Sequence, residues 1–69
     1  MADLELHHWG NGEIRITAQS EMGAHWLTLD HASSENAQGF SVGDSAYYPG
    51  MTQDMIVHEI QDAGLVISS

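Results

Sequence analysis

The stretch Leu4-Glu5-Leu6-His7-His8-Trp9-Gly10-Asn11-Gly12-Glu13-Ile14-Arg15-Ile16-Thr17-Ala18 decides the fold. Leu4, Leu6 and His8 alternate with their neighbours, Gly10-Asn11-Gly12 turns the chain, and Ile14, Ile16 and Ala18 alternate again. That is the pattern of a β-hairpin. Loop length follows from where the aliphatic side chains must go. A turn at Asn11-Gly12 alone sets Leu6 opposite Thr17 and sends the leucines and isoleucines to opposite faces. A loop from Gly10 to Gly12 pairs Leu6 with Ile16 and Leu4 with Ala18. All the aliphatics then share one face, and Gly12 supplies the left-handed residue such loops need. This second register is the expected one. Its other face carries Glu5, His7, Trp9, Glu13, Arg15 and Thr17.

Downstream, Ser20 to Asp30 has two readings. Ser20 is a good N-cap with Glu21 in the first turn, and Met22, Trp26 and Leu29 fall on one helical face. Gly23 weakens a helix, and Trp26-Leu27-Thr28-Leu29 also suits a strand. Helix is favoured. His31 to Gly39, rich in Ser, Asn and Ala, reads as an internal loop. Phe40-Ser41-Val42, a type II′ turn at Gly43-Asp44, and Ser45-Ala46-Tyr47-Tyr48 make a second hairpin, ended by Pro49-Gly50.

The last helix has the clearest signals. Thr52 is the expected N-cap, Asp54 sits in the first turn, and Met51 with Ile56 forms a hydrophobic staple. Ile56, Val57, Ile60 and Ala63 make the buried stripe. Gly64 stops the helix in left-handed geometry and Leu65 folds back onto Ile60. Leu65-Val66-Ile67 reads as a short final strand. The expected fold is a small α+β domain over residues 1–69, with strand and helix order β-β-α-β-β-α-β. Two helices lie on one face of a mainly antiparallel sheet.

The chain has 69 residues and no Cys, so a thin core must hold without disulfides. Ten carboxylates face one cation, Arg15, for a net charge of −9. Such a charge repels nucleic acid and anionic lipid, so neither is an expected direct partner. The acidic start and the short apolar runs give no leader or membrane span, and a cytoplasmic location is expected. Acidity also serves solubility or a saline habitat, and that reading stands beside recognition of a basic partner.

Catalytic and metal chemistry find little support. There is no thiol nucleophile, no G-x-S-x-G elbow and no phosphate-cradling glycine loop, so no enzyme activity and no catalytic residue is expected. His7 and His8 point to opposite faces of a strand, His25 and His31 are off helical ligand spacing, and His58-Glu59 lacks the second His of H-E-x-x-H. No metal and no cofactor is expected. The candidate partner-binding residues are Glu5, Trp9 and Glu13 on the polar hairpin face, and Asp54, Glu59 and Asp62 on the last helix. Trp and Tyr are enriched at interface hot spots. The alternative packs Tyr47 and Tyr48 at the core rim and lays Trp9 over the sheet edge. The helix acids have no Lys or Arg at i+3 or i+4, so they add little to helix stability.

The segments Ser20-Glu21-Met22-Gly23-Ala24-His25-Trp26-Leu27 and Ile60-Gln61-Asp62-Ala63-Gly64-Leu65 resemble short proteins of phages and mobile elements. They cover about a fifth of the chain. The profile, tiny, acidic and without an active site, is similar to that of anti-CRISPR proteins, which share size and task rather than sequence. That resemblance implies a phage inhibitor that covers the DNA-binding surface of a CRISPR effector with carboxylates, as a partial DNA mimic. It transfers no functional residue. The expected function is therefore a non-catalytic inhibitor or adaptor that binds a basic, nucleic-acid-handling protein. Two other readings stay open: a small-molecule or metal-binding accessory domain that uses the histidines, and a self-associating module such as a homodimer, paired through open sheet edges.

Overall fold

The computed structural model describes residues 1–30 and 39–68. The loop read from His31 to Gly39 lies outside them except for Gly39. Strands β1 (Leu4–Trp9) and β2 (Glu13–Ala18) form the first hairpin. Leu4 pairs with Ala18, Leu6 with Ile16 and Trp9 with Glu13, so the loop is Gly10 to Gly12 and the aliphatics share a face. Gly12 is left-handed (φ 72°), and so is Asn11 (φ 66°). Strand β3 (Ser45–Pro49) pairs antiparallel with β2, and β4 (Ile67–Ser68) pairs parallel with β1. The sheet order is β3-β2-β1-β4. Helices α1 (Glu21–Asp30) and α2 (Gln53–Asp62) pack on its apolar face. This is the small, mainly antiparallel α+β fold expected, with four strands rather than five among the described residues.

The strand read at Phe40–Val42 does not form. The Phe40 amide instead donates to Thr28 Oγ1 of α1 (2.8 Å), and the Phe40 side chain packs against the core from there. Ser41 to Asp44 makes a tight turn, closed by Asp44 N–H to the Ser41 carbonyl (3.0 Å). Gly43 has φ 98° at the third turn position, which is type II geometry rather than type II′. The turn still completes the ladder of β2. Ala18 donates to the Asp44 carbonyl and Gly43 donates to the Ala18 carbonyl, both at 2.9 Å.

Helix α1 starts as its sequence suggests but buries a different face. Ser20 Oγ accepts the Gly23 amide (3.1 Å) as an N-cap. The buried residues are Gly23, Ala24 and Leu27, whereas Met22 and Leu29 are 63% and 61% exposed and Trp26 is half-buried. Close approach is the reason. A Cβ built on Gly23 would lie 2.0 Å from the Asp3 carbonyl oxygen, so the helix rests its glycine directly on the backbone entering β1. Gly23 is a seat rather than a weak point in the helix.

Helix α2 follows a 3-10 turn, Gly50–Thr52. Thr52 does not cap it; its hydroxyl donates to the Pro49 carbonyl (2.6 Å), while the Gln53 amide finds the Gly50 carbonyl. Met51 is 93% exposed, so no staple forms with Ile56. Ile56 and Ile60 are buried and Val57 half-buried, but Ala63 is exposed. The C-terminus is a Schellman motif: Leu65 N–H reaches the Ile60 carbonyl (3.2 Å) and Gly64 N–H the Gln61 carbonyl (2.9 Å), with Gly64 at φ 82°. Leu65 turns into the core, and the final strand begins at Ile67 rather than Leu65. Among the described residues no helix is long and apolar enough to cross a membrane.

Candidate functional site

Strand alternation puts three cross-strand rows on the sheet face opposite the helices. They are Glu5-Thr17-Ser45, His7-Arg15-Tyr47 and Trp9-Glu13-Pro49. Thr17 and Ser45 share a hydroxyl hydrogen bond (2.8 Å), and His7 Nε2 pairs with Glu5 Oε1. Trp9 leans diagonally across the middle row. Its ring covers the Arg15 guanidinium carbon at 4.7 Å and meets the Tyr47 ring edge-on, centroids 5.8 Å apart at 67°. This is a cation–π contact joined to a T-shaped aromatic pair.

The arrangement has a chemical consequence. Arg15 is the only Lys or Arg of the chain, and it lies under Trp9 with its Nε buried and without a hydrogen-bond partner among the described residues. Two rigid aromatics stand above it, Trp9 at 48% and Tyr47 at 49% exposure, with exposed Glu13 and half-buried Glu5 in the flanking rows. Among the described residues no element covers this face. It can offer apolar area, a ring edge and carboxylates.

Tyr48, the neighbour of Tyr47, points the other way and is buried. Its hydroxyl donates to Asp30 Oδ2 (2.7 Å). Burial first, then that hydrogen bond and the charges of Asp30 and Glu59, push its hydroxyl well above the ordinary tyrosine range. Tyr48 is thus a core residue with a satisfied polar tip, as the core-rim reading held, whereas Tyr47 faces out.

The six candidate partner-binding residues fall into two sets on opposite sides of the sheet. Glu5, Trp9 and Glu13 lie together on the uncovered face. Asp54, Glu59 and Asp62 are exposed on α2, which packs against the other face. The helix set divides again. Asp54, His58 and Asp62 follow one line at i, i+4 and i+8, with His58 Nε2 3.7 Å from Asp62 Oδ2, while Glu59 lies on the adjacent side with Met55. No single flat partner touches all six.

The sequence also left unread a groove of about 420 Å³ between α2 and the β1–β4 edge, lined by Leu6, Gln53, Asp54, Val57, His58, Gln61 and Ile67. His8 Nε2 meets Gln53 Oε1 (3.0 Å), the first residue of α2. The alternation of Leu4, Leu6 and His8 was the available signal, since it aims His8 toward the helices. Among the described residues, no group of three His, Asp or Glu side chains is placed to hold a metal.

Compared with protein-family models, curated proteins and solved structures, the chain shows no significant match to any of them. The residues themselves therefore carry the functional argument.

Proposed function

We propose that the protein is a non-catalytic binding module that docks its uncovered sheet face on a basic surface of a nucleic-acid-handling protein and occupies it. This is the inhibitory or adaptor mode that the anti-CRISPR-like profile implies. One observation carries the reading: Trp9 and Tyr47 stand half-exposed and in mutual contact on an open sheet face, while the one Arg of the chain is tucked beneath Trp9. Rigid aromatics of this kind are the usual anchors of an interface, and the flanking Glu5 and Glu13 set its sign.

Any DNA mimicry here is one of sign rather than spacing. Glu5 and Glu13 sit in the two rows that flank the middle row, about 13 Å apart along the strands at ~3.3 Å per residue. A DNA strand places a phosphate about every 3.4 Å of helix axis. The face therefore supplies too few carboxylates to replace a phosphate run, and Trp9 and Tyr47 supply the remainder of the contact.

The test begins with capture of a partner and binding measurements at several salt concentrations. Trp9→Ala is expected to weaken binding by about tenfold or more through faster dissociation. Paired Glu5→Gln and Glu13→Gln is expected to slow association and flatten the salt dependence. The triple variant Asp54→Asn, Glu59→Gln, Asp62→Asn, on the opposite side, is expected to bind like the parent. Parent-like binding by Trp9→Ala, with loss confined to the triple variant, overturns the assignment to this face.

A further inference from the structure

Helix α1 is apolar on two faces. Gly23, Ala24 and Leu27 take the core, and the small size of the first two seats the helix close to the sheet. Its larger side chains are thereby left out. Met22, Trp26 and Leu29 form a second stripe at i, i+4 and i+7, with Met22 63% and Leu29 61% exposed. A surface helix ordinarily carries one apolar stripe, and a second marks an element that something else covers.

The stripe forms one wall of an open groove of about 350 Å³, whose opposite wall is Ala63 and Leu65 at the end of α2. Its rim is acidic. Glu21 lines one end. Asp30 follows the lining residue Leu29 at the end of α1, and Glu59 precedes the lining residue Ala63 by one helical turn on α2. Neither helix has a basic residue in its last turn, and α2 carries Glu59 and Asp62 there. Carboxylates at the negative end of a helix dipole are unfavourable for the isolated fold, and a cation brought by a partner would relieve them. A second copy of this chain brings nine further net negative charges instead.

We infer that this α1–α2 groove is a second docking site, which takes an amphipathic helical segment bearing apolar anchors with Lys or Arg at its ends. The apolar floor accepts the anchors, and the long basic stems reach the acidic rim. The site faces away from Trp9 and stands independently of the function proposed above.

The probe is a synthetic helical peptide with Leu and Phe at the i, i+4, i+7 spacing and Lys at both ends. A matched peptide with Glu in place of Lys is the control. In the Trp9→Phe protein, Trp26 is the sole indole, and its fluorescence together with amide NMR shifts reports the location of binding. Saturable binding is expected, with shifts at Met22, Trp26, Leu29, Ala63 and Leu65 and a several-fold loss between ~50 and ~500 mM salt. Met22→Gln with Leu29→Gln, both exposed and so compatible with folding, is expected to weaken it about tenfold. A parent-like melting curve for that variant confirms that the fold is intact. The inference is overturned by any of three results: no saturable binding up to ~1 mM Lys peptide, equal binding of the Glu peptide, or shifts confined to the Trp9 face. Concentration-dependent dimerisation through the same residues, without peptide, also overturns the choice of occupant.

Discussion

Asp3 and Val66 hold one another twice: the Asp3 amide donates to the Val66 carbonyl at 2.8 Å, and the Val66 amide donates to Asp3 Oδ2 at 3.0 Å. Asp3 Oδ1 also accepts the Ser20 hydroxyl (2.7 Å), and the Asp3 carbonyl accepts the Gln19 amide (2.8 Å). One residue thus ties the entry of β1, the cap of α1 and the entry of β4. The Val66 amide first and the Ser20 hydroxyl second hold its carboxyl below the ordinary aspartate value. A depressed folded-state pKa contributes stability above the unfolded value, about 3.9, and that contribution disappears as pH falls through the folded value. Asp3→Asn is therefore expected to melt below the parent at neutral pH and to converge with it in strong acid. Melting curves across the acid range check this, and a constant gap between the two proteins would remove the charge from the explanation.

Gly23→Ala should reverse the usual helix rule. In an exposed helix interior the change stabilises by about 1 kcal/mol. Here the added methyl meets the Asp3 carbonyl oxygen at 2.0 Å, a backbone atom that no rotamer change can move. The forced shift of α1 away from β1 is expected to cost ~1–3 kcal/mol net. Denaturant unfolding measures it; a gain in stability would mean that α1 does not sit there.

The hairpin tip separates two left-handed positions. Gly12→Val is expected to cost ~1–3 kcal/mol, because a β-branched residue tolerates positive φ poorly. Asn11→Ala is expected to cost about 1 kcal/mol, since Asn11 is left-handed too, while Asn11→Gly should be close to neutral. Thermal melts of the three variants test the order. A neutral Asn11→Ala would place that residue elsewhere in φ.

Ile60 is fully buried at the meeting of the α2 stripe and the Schellman motif, where its carbonyl accepts Leu65. Ile60→Ala is expected to lose ~2–5 kcal/mol. A loss below about 1 kcal/mol in urea unfolding would show that the stripe is not the anchor of the fold.

The legible and illegible parts of this fold divide along a physical line. The first hairpin was readable because period-two alternation and a short glycine loop allow only one register that gathers Leu4, Leu6, Ile14 and Ile16. The end of α2 was readable because Gly64 and Leu65 encode a local motif. What failed depended on distant backbone. The seat of Gly23 on Asp3 and the hold of Thr28 on Phe40 are tertiary contacts, and they redirected α1 and removed a strand. At the candidate site, the outward direction of Trp9 followed from register alone. Its position over Arg15, its contact with Tyr47 and the opposite placement of the α2 acids required the order β3-β2-β1-β4.

The parallel pairing of β4 with β1 also bears on how the chain is made. The two residues that join these strands most closely, Asp3 and Val66, are separated by 63 positions. While the chain is being synthesised, the hairpin and α1 can assemble early, but the outer edge of β1 has no native partner until Ile67 and Ser68 have left the ribosome. During that interval the nascent protein presents one open edge of the strand that carries Leu4 and Leu6, and any extended segment nearby can occupy the place reserved for β4.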